Sequence, residues 1–147
     1  MKILVINGPN LNMLGIREPA HYGTETFETL CNRINEYGVS TGNEITQYQS
    51  NHEGDLVDAI QQAYFTGVDG IVINPGAYTH TSIALRDAVS SVKIPTVEVH
   101  ISDVDSREDF RKISYIRDVC VKTISGHGVN GYFEAIDYLL EGYKNEG

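Results

Sequence analysis

Basic residues are scarce in this chain. Only 11 Lys and Arg stand against 20 Asp and Glu, a formal charge of -9 over 147 residues, and such a surface repels phosphate backbones and anionic lipid. Nucleic acid and membrane surfaces are therefore excluded as partners. Long hydrophobic runs are missing as well. Met1 and Lys2 lead straight into Ile3, Leu4, Val5 and Ile6, too short a run before Asn7 and Gly8 for a signal peptide, and no stretch reaches membrane-spanning length. A cytoplasmic location is expected. Cysteine is reduced to Cys31 and Cys120, without C-x-x-C spacing and inside a helical and a strand pattern, so buried reduced thiols are expected rather than a disulfide or a metal site. No linker or low-complexity segment breaks the chain, which is 41% hydrophobic and 21% charged. A single domain over residues 1–147 follows from that composition and size.

What is present is an alternation of strands and helices. A first strand, Lys2 to Asn7, is followed by a long Gly- and Pro-punctuated loop, Gly8 to Gly23. Phe27, Leu30, Ile34 and Tyr37 then recur at helical spacing until Gly38 stops them. Glu44 to Ser50 reads as a half-polar strand. Leu56, Ile60, Ala63 and Tyr64 make the next helix, closed by Gly67. Gly70 to Asn74 and Thr96 to His100 are apolar strands. The first precedes a helix carrying Ile83, Leu85, Ala88 and Val89, and the second a short helix capped by Ser106 with Asp109 three residues on. Val119 to Ser125 alternates as a fifth strand, and Val129 to Tyr143 forms a closing amphipathic helix. Such alternation calls for an α/β fold, a five-stranded parallel sheet with helices on both faces. Half-polar strands two and five belong at its edges, which gives the flavodoxin-like order 2-1-3-4-5.

The apolar strands end in Asn7, Asn74 and His100, with Glu98 inside the last of them. Ligands bind outside the carboxyl ends of strands in such sheets, so this edge is where chemistry is sought. Several chemistries lack their residues. Gly8 to Gly15 has no G-x-G-x-x-G spacing for a dinucleotide, nor a hydroxyl-rich loop for a flavin phosphate. Asn7, Asn10, Asn12 and Asn74 stand where a phosphoacceptor domain needs acids. Ser82 and Ser102 lack a nucleophile elbow, and no lysine sits at a strand end for a Schiff base.

Two chemistries remain. His80, Glu98 and His100 form a candidate metal set, since Glu98 and His100 are two apart on one strand and share a face. A carboxylate flanked by Val97 and Val99, however, more commonly fixes the tautomer of a histidine. The alternative is acid–base work by His100 and Tyr22. A tyrosine of ordinary pKa is ionised about once in a thousand molecules at neutral pH, a shortfall of roughly 4 kcal/mol for a base. A cation within about 4 to 6 Å lowers a pKa by roughly 1 to 3, about 1.4 to 4 kcal/mol of that shortfall, and Arg17 lies on the same loop. The plain alternative for these two is a surface ring and a solvated charge.

The runs N-G-P-N-L-N-M-L-G-I-R-E-P-A-H-Y-G (Asn7 to Gly23), I-N-P-G-A-Y-T-H-T-S (Ile73 to Ser82) and V-E-V-H-I-S (Val97 to Ser102) resemble the type II 3-dehydroquinate dehydratases. R-E-D-F-R and S-Y-I within Arg107 to Ile116 fit as well, and the likeness is collinear over essentially the whole chain. The resemblance implies reversible loss of water from 3-dehydroquinate to give 3-dehydroshikimate, with no cofactor, no metal and no Schiff base. It implies Tyr22 as tyrosinate base, Arg17 lowering its pKa, Asn10 holding a water on the enolate oxygen, and His100, oriented by Glu98, as general acid. The small anionic substrate would be held by Asn74, His80, Arg111 and the backbone of Ile101 and Ser102. It further implies a homo-oligomer, a dodecamer built from trimers, in which Asp87 reaches a neighbouring subunit's site. Asp103 and Asp105 stand where the family commonly has Asn and His, which matters if they face the pocket. Met13 for the usual leucine is volume-conserving, and no catalytic role maps onto H-G-V-N-G-Y at His127 to Tyr132. His21, His52 and His127 read as surface residues.

Overall fold

The computed structural model describes residues 1–16 and 25–142; Arg17, Pro19, His21, Tyr22, Gly23 and Tyr143 lie outside the described residues. Five strands, β1 (Lys2–Asn7), β2 (Glu44–Gln49), β3 (Gly70–Asn74), β4 (Thr96–His100) and β5 (Lys122–Ser125), form one sheet in the order β2-β1-β3-β4-β5. Every pairing is parallel. The expected flavodoxin-like topology is thus the observed one. β3 and β4 are buried at every residue, whereas β2 alternates exposed and half-buried positions, as an edge strand does.

Four helices cover the two faces: α1 (Phe27–Thr41), α2 (Glu53–Phe65), α3 (Ile83–Val92) and α4 (Asn130–Asp137). Val5, Val72, Val97 and Val99 pack with Leu30 and Ile34 of α1 and with Tyr132, Ala135 and Ile136 of α4. Ile6, Ile71 and Ile73 pack on the opposite face with Leu56 and Ile60 of α2 and with Leu85, Ala88 and Val89 of α3. At about 1.5 to 3 kcal/mol for each buried aliphatic side chain, these two layers hold the sheet ends in fixed register. Among the described residues, no helix is long and apolar enough to cross a membrane.

Local structure departs from the sequence expectation in several places. α1 does not stop at Gly38. It runs on to Thr41, and the left-handed cap is Gly42 at φ 70°, whose N–H bonds the Gly38 and Val39 carbonyls. Gly38 is needed for another reason: a Cβ there would lie 3.1 Å from Ile45 Cγ1, so its bareness lets α1 close onto β2. No helix follows Ser106. Tight 3₁₀ turns at Val104–Ser106 and Asp109–Lys112 replace it, with Phe110 and Ile113 exposed. A helix lacking an apolar stripe to bury gains little from packing, and short turns win. Arg117–Val119 is a further 3₁₀ turn, with Val119 and Cys120 packed on the core, and β5 starts only at Lys122. The last helix ends at Asp137 and widens into a π-turn over Tyr138–Gly142. Cys31 and Cys120 are free but only half-buried, and Cys120 sits on the connection into β5 rather than in the strand. Burial raises the Cys31 thiol, and burial together with the Glu98 charge pushes Cys120 up to about 12.

Parallel register places Asn7 directly beside Asn74 at the switch point. The chain turns out of β1 by hydrogen-bonding Gly8 N–H to the Asn74 carbonyl at 2.8 Å. A Cβ at Gly8 would stand 2.4 Å from the Pro75 carbonyl oxygen, so only glycine lets the two strand ends approach this closely. Gly8→Ala is expected to destabilise the fold by about 2 kcal/mol, since backbone and not a flexible side chain must move. Urea unfolding monitored by circular dichroism measures this.

Candidate active site

Outside the carboxyl ends of β1, β3 and β4 lies a cleft of about 110 Å³. Its walls include Asn10, Asn74, His80, His100, Ile101, Ser102 and Arg111. The structure therefore brings together all the sequence-derived substrate residues except Asp87, and all the catalytic ones described except Glu98, which sits behind His100.

Glu98 and His100 occupy alternate positions of β4 and so share its α2/α3 face, opposite Val97 and Val99. His100 Nε2 lies 2.5 Å from Glu98 Oε2, with His100 4% and Glu98 0% exposed. Burial alone would raise the Glu98 carboxyl. Hydrogen bonding and charge from His100, the Ser114 hydroxyl and the Arg117 charge outweigh it and hold the group below the ordinary glutamate value. Ser114 Oγ reaches both carboxylate oxygens, at 3.2 and 3.0 Å, and Thr123 Oγ1 donates to Oε1 at 3.3 Å. An ionised carboxylate opposite Nε2 keeps a proton on that nitrogen, leaving Nδ1 as the ring atom available to a ligand. With its oxygens so engaged, Glu98 is built as an orienting acceptor. Among the described residues, no three His, Cys, Asp or Glu side chains are grouped to hold a metal ion.

His80 enters from the 3₁₀ turn Gly76–His80 that follows β3. Its Nδ1 lies 2.6 Å from the Ile113 carbonyl. A carbonyl only accepts, so Nδ1 carries the hydrogen and Nε2 of the neutral ring offers a lone pair. Burial, then the neighbouring His100 and Arg111 charges, lower the His80 pKa despite opposing effects of Ile113 and Glu98. The ring is therefore neutral at pH 7. Arg111 is anchored by Glu108, Nε to Oε2 at 2.5 Å, and stacks over Phe110. Among the described residues, nothing accepts a hydrogen bond from the N–H groups of Ile101 and Ser102, the disposition an anionic group requires.

Asn10 heads the turn after β1 in the left-handed region, φ 69°, a conformation Asn tolerates. Its N–H donates to Asn51 Oδ1 at 3.0 Å, and Gln49 Nε2 ties the Gly8 carbonyl to the same Asn51 oxygen. Asn74 is almost wholly buried. Its Oδ1 accepts from Gly76 N–H at 3.1 Å and its Nδ2 donates to the Tyr132 hydroxyl at 2.9 Å.

Other residues stand elsewhere. Asp87 lies exposed on α3, outside the cleft of its own chain. Asp103 and Asp105 are exposed and line a groove beside β5 and α4 instead of the cleft. Asp103 Oδ1 accepts from Asp105 N–H at 3.2 Å, so that carboxylate is spent on its own turn. His52 and His127 are exposed, the latter paired with Glu134. Four residues near the site carried no role in the sequence reading: Arg107, which lines the cleft, Ser114 and Thr123 behind Glu98, and Tyr132 behind Asn74. Ser114 and Arg107 lie in motifs that were legible. Tyr132 was disguised by its apolar helix stripe, although a buried phenol always needs a polar partner.

Residues 1–140 match the family model for class II dehydroquinase. The chain belongs to the class II dehydroquinases. A 3-dehydroquinate dehydratase of Clostridium beijerinckii is 54% identical over 139 residues, 95% of either chain. Among solved structures, a type II dehydroquinase from Butyrivibrio crossotus superposes with a TM-score of 0.95 at 60% identity, covering 96% of this chain and 98% of that one. Another, from Propionibacterium acnes, gives 0.90 at 41% identity and 94% coverage of each. In this dehydroquinase, the His80 imidazole is expected to titrate below the ordinary histidine range. Proton NMR of its ring resonances against pH measures the value, and an ordinary or raised one contradicts the neutral acceptor.

Proposed function

We propose that the chain converts 3-dehydroquinate to 3-dehydroshikimate reversibly, as a step of the shikimate pathway, by anti elimination through an enolate. The observation that carries this reading is the sealed Glu98–His100 pair, 2.5 Å apart, with the His100 ring on the wall of a cleft that Arg111 also lines. Tyr22, ionised beside Arg17, takes the proton from the carbon next to the ketone; both residues lie outside the described residues. The electron pair left behind becomes the enolate, whose oxygen meets a water held by Asn10. The enolate then collapses, the carbon–hydroxyl bond breaks, and His100 Nδ1 gives its proton to the departing hydroxyl, releasing water. Glu98 stabilises the imidazolium that donates.

The substrate's carboxylate suits the N–H groups of Ile101 and Ser102, while Asn74, His80 and Arg111 suit its oxygens. Asp87 serves a neighbouring subunit of a dodecamer of trimers. Its exposure on α3, beyond reach of its own cleft, and the exposed Ile83 on the same helix support a role across an interface.

Tyr22→Phe is expected to lower turnover at least 1,000-fold, roughly the shortfall that an ionised phenol makes good, while the fold stays intact. Ultraviolet absorbance of the conjugated enone follows the reaction, and near-wild-type appearance of product would refute the base. Glu98→Gln keeps the shape but turns one oxygen into a donor, so kcat should fall about 100-fold with KM little changed. Exhaustive chelation separates the metal reading: activity lost and restored only by a divalent ion overturns the acid–base scheme.

A further inference from the structure

Tyr132 stands on α4, on the sheet face opposite Glu98 and His100, and is fully buried among apolar side chains. Its hydroxyl nonetheless meets two strand ends at once, accepting from Asn74 Nδ2 at 2.9 Å and donating to Asn7 Oδ1 at 2.5 Å. Both asparagines point to this face because they are register partners of β1 and β3.

The proton positions in this triad follow from elementary donor counting. Gly76 N–H can only donate, so the Asn74 atom facing it is Oδ1. The atom facing Tyr132 is therefore Nδ2, and the phenol oxygen accepts from it. The single phenolic proton is then free to go to Asn7, which must present its carbonyl oxygen. Among the described residues, one N–H and one carbonyl lone pair of Asn74 remain unspent, and Asn74 lines the cleft. A hydroxyl, which donates and accepts together, matches that pair.

We propose that Tyr132 is a positioning residue whose hydroxyl, held by Asn7, locks the amide of Asn74 in the sense that recognises a substrate hydroxyl. The proposal rests on Asn74 holding substrate, as above. Without the phenol oxygen, a buried N–H is left unpaired and the amide turns to find another partner, spoiling the match.

The test is a double-mutant cycle on the assembled enzyme with 3-dehydroquinate. Tyr132→Phe keeps the ring in the core and is expected to raise KM about tenfold with kcat changed less than about twofold, the usual size for an orphaned buried donor. In an Asn74→Ala background, the same substitution should change kcat/KM less than about twofold. Equal losses in both backgrounds, or an unchanged KM in a native-like Tyr132→Phe protein, overturn the proposal. A purely structural hydroxyl would lower the thermal midpoint in both backgrounds without moving KM. Should Tyr132→Phe fail to fold, Asn7→Leu carries the test: it strips the acceptor, lets the phenolic proton swing toward Asn74, and is expected to raise KM several-fold. An unaltered KM there is equally fatal. A wild-type protein that makes no enone from 3-dehydroquinate removes the functional reading itself, whereas an active wild type with additive losses removes only the role of Tyr132.

Discussion

A carboxylate sealed inside a parallel sheet is the constraint on which the rest of this structure depends. Glu98 has no contact with solvent and sits between two valines in a central strand. Left alone it would protonate, because burial disfavours charge. The hydrogen bond and charge of His100 on its own strand, the Ser114 hydroxyl on the connection to β5 and the Arg117 charge hold it ionised, while Thr123 on β5 donates to its other oxygen. The same side-chain contacts tie β5 and the turn-rich segment after β4 to the middle of β4 and turn the His100 imidazole. Stability and orientation are here one set of hydrogen bonds.

The site draws on both faces of the sheet. Asn7 and Asn74 point toward α4, and Glu98 and His100 toward α2 and α3. Only beyond the strand ends can side chains from opposite faces meet, which is why the cleft lies there. Close approach of the β1 and β3 exits, permitted by Gly8, brings the Asn10 turn and the His80 turn to the same cleft.

Much of this was legible in the sequence. Apolar strands ending in Asn7, Asn74 and His100 announce a polar edge, and strands two and five declare themselves edges by their polarity, so the sheet order follows. The i, i+2 spacing of Glu98 and His100 gives their shared face. What escaped depends on contacts distant in sequence. Gly38 looked like a stop because a glycine's value in packing against Ile45 is invisible without β2 in place. The segment after Ser106 looked helical because caps are local signals, while the absence of a surface to pack on is a tertiary fact. Tyr132 and Ser114 went unnoticed because each acts through a partner on another element.

All-parallel pairing has a consequence for how the protein is made. β1 precedes both its neighbours, β2 and β3, along the chain, and each follows a helical crossover. No hairpin can hold it meanwhile, so its hydrophobic residues wait for partners far along the chain. The contacts behind the cleft come later still: Ser114 and Thr123 reach Glu98 only once the chain through β5 has returned, and Tyr132 meets Asn74 only when α4 docks. In chain order the site is therefore completed late, and a ribosome-bound fragment ending before α4 carries the sheet's central strands without the Tyr132 hydroxyl that joins Asn7 to Asn74.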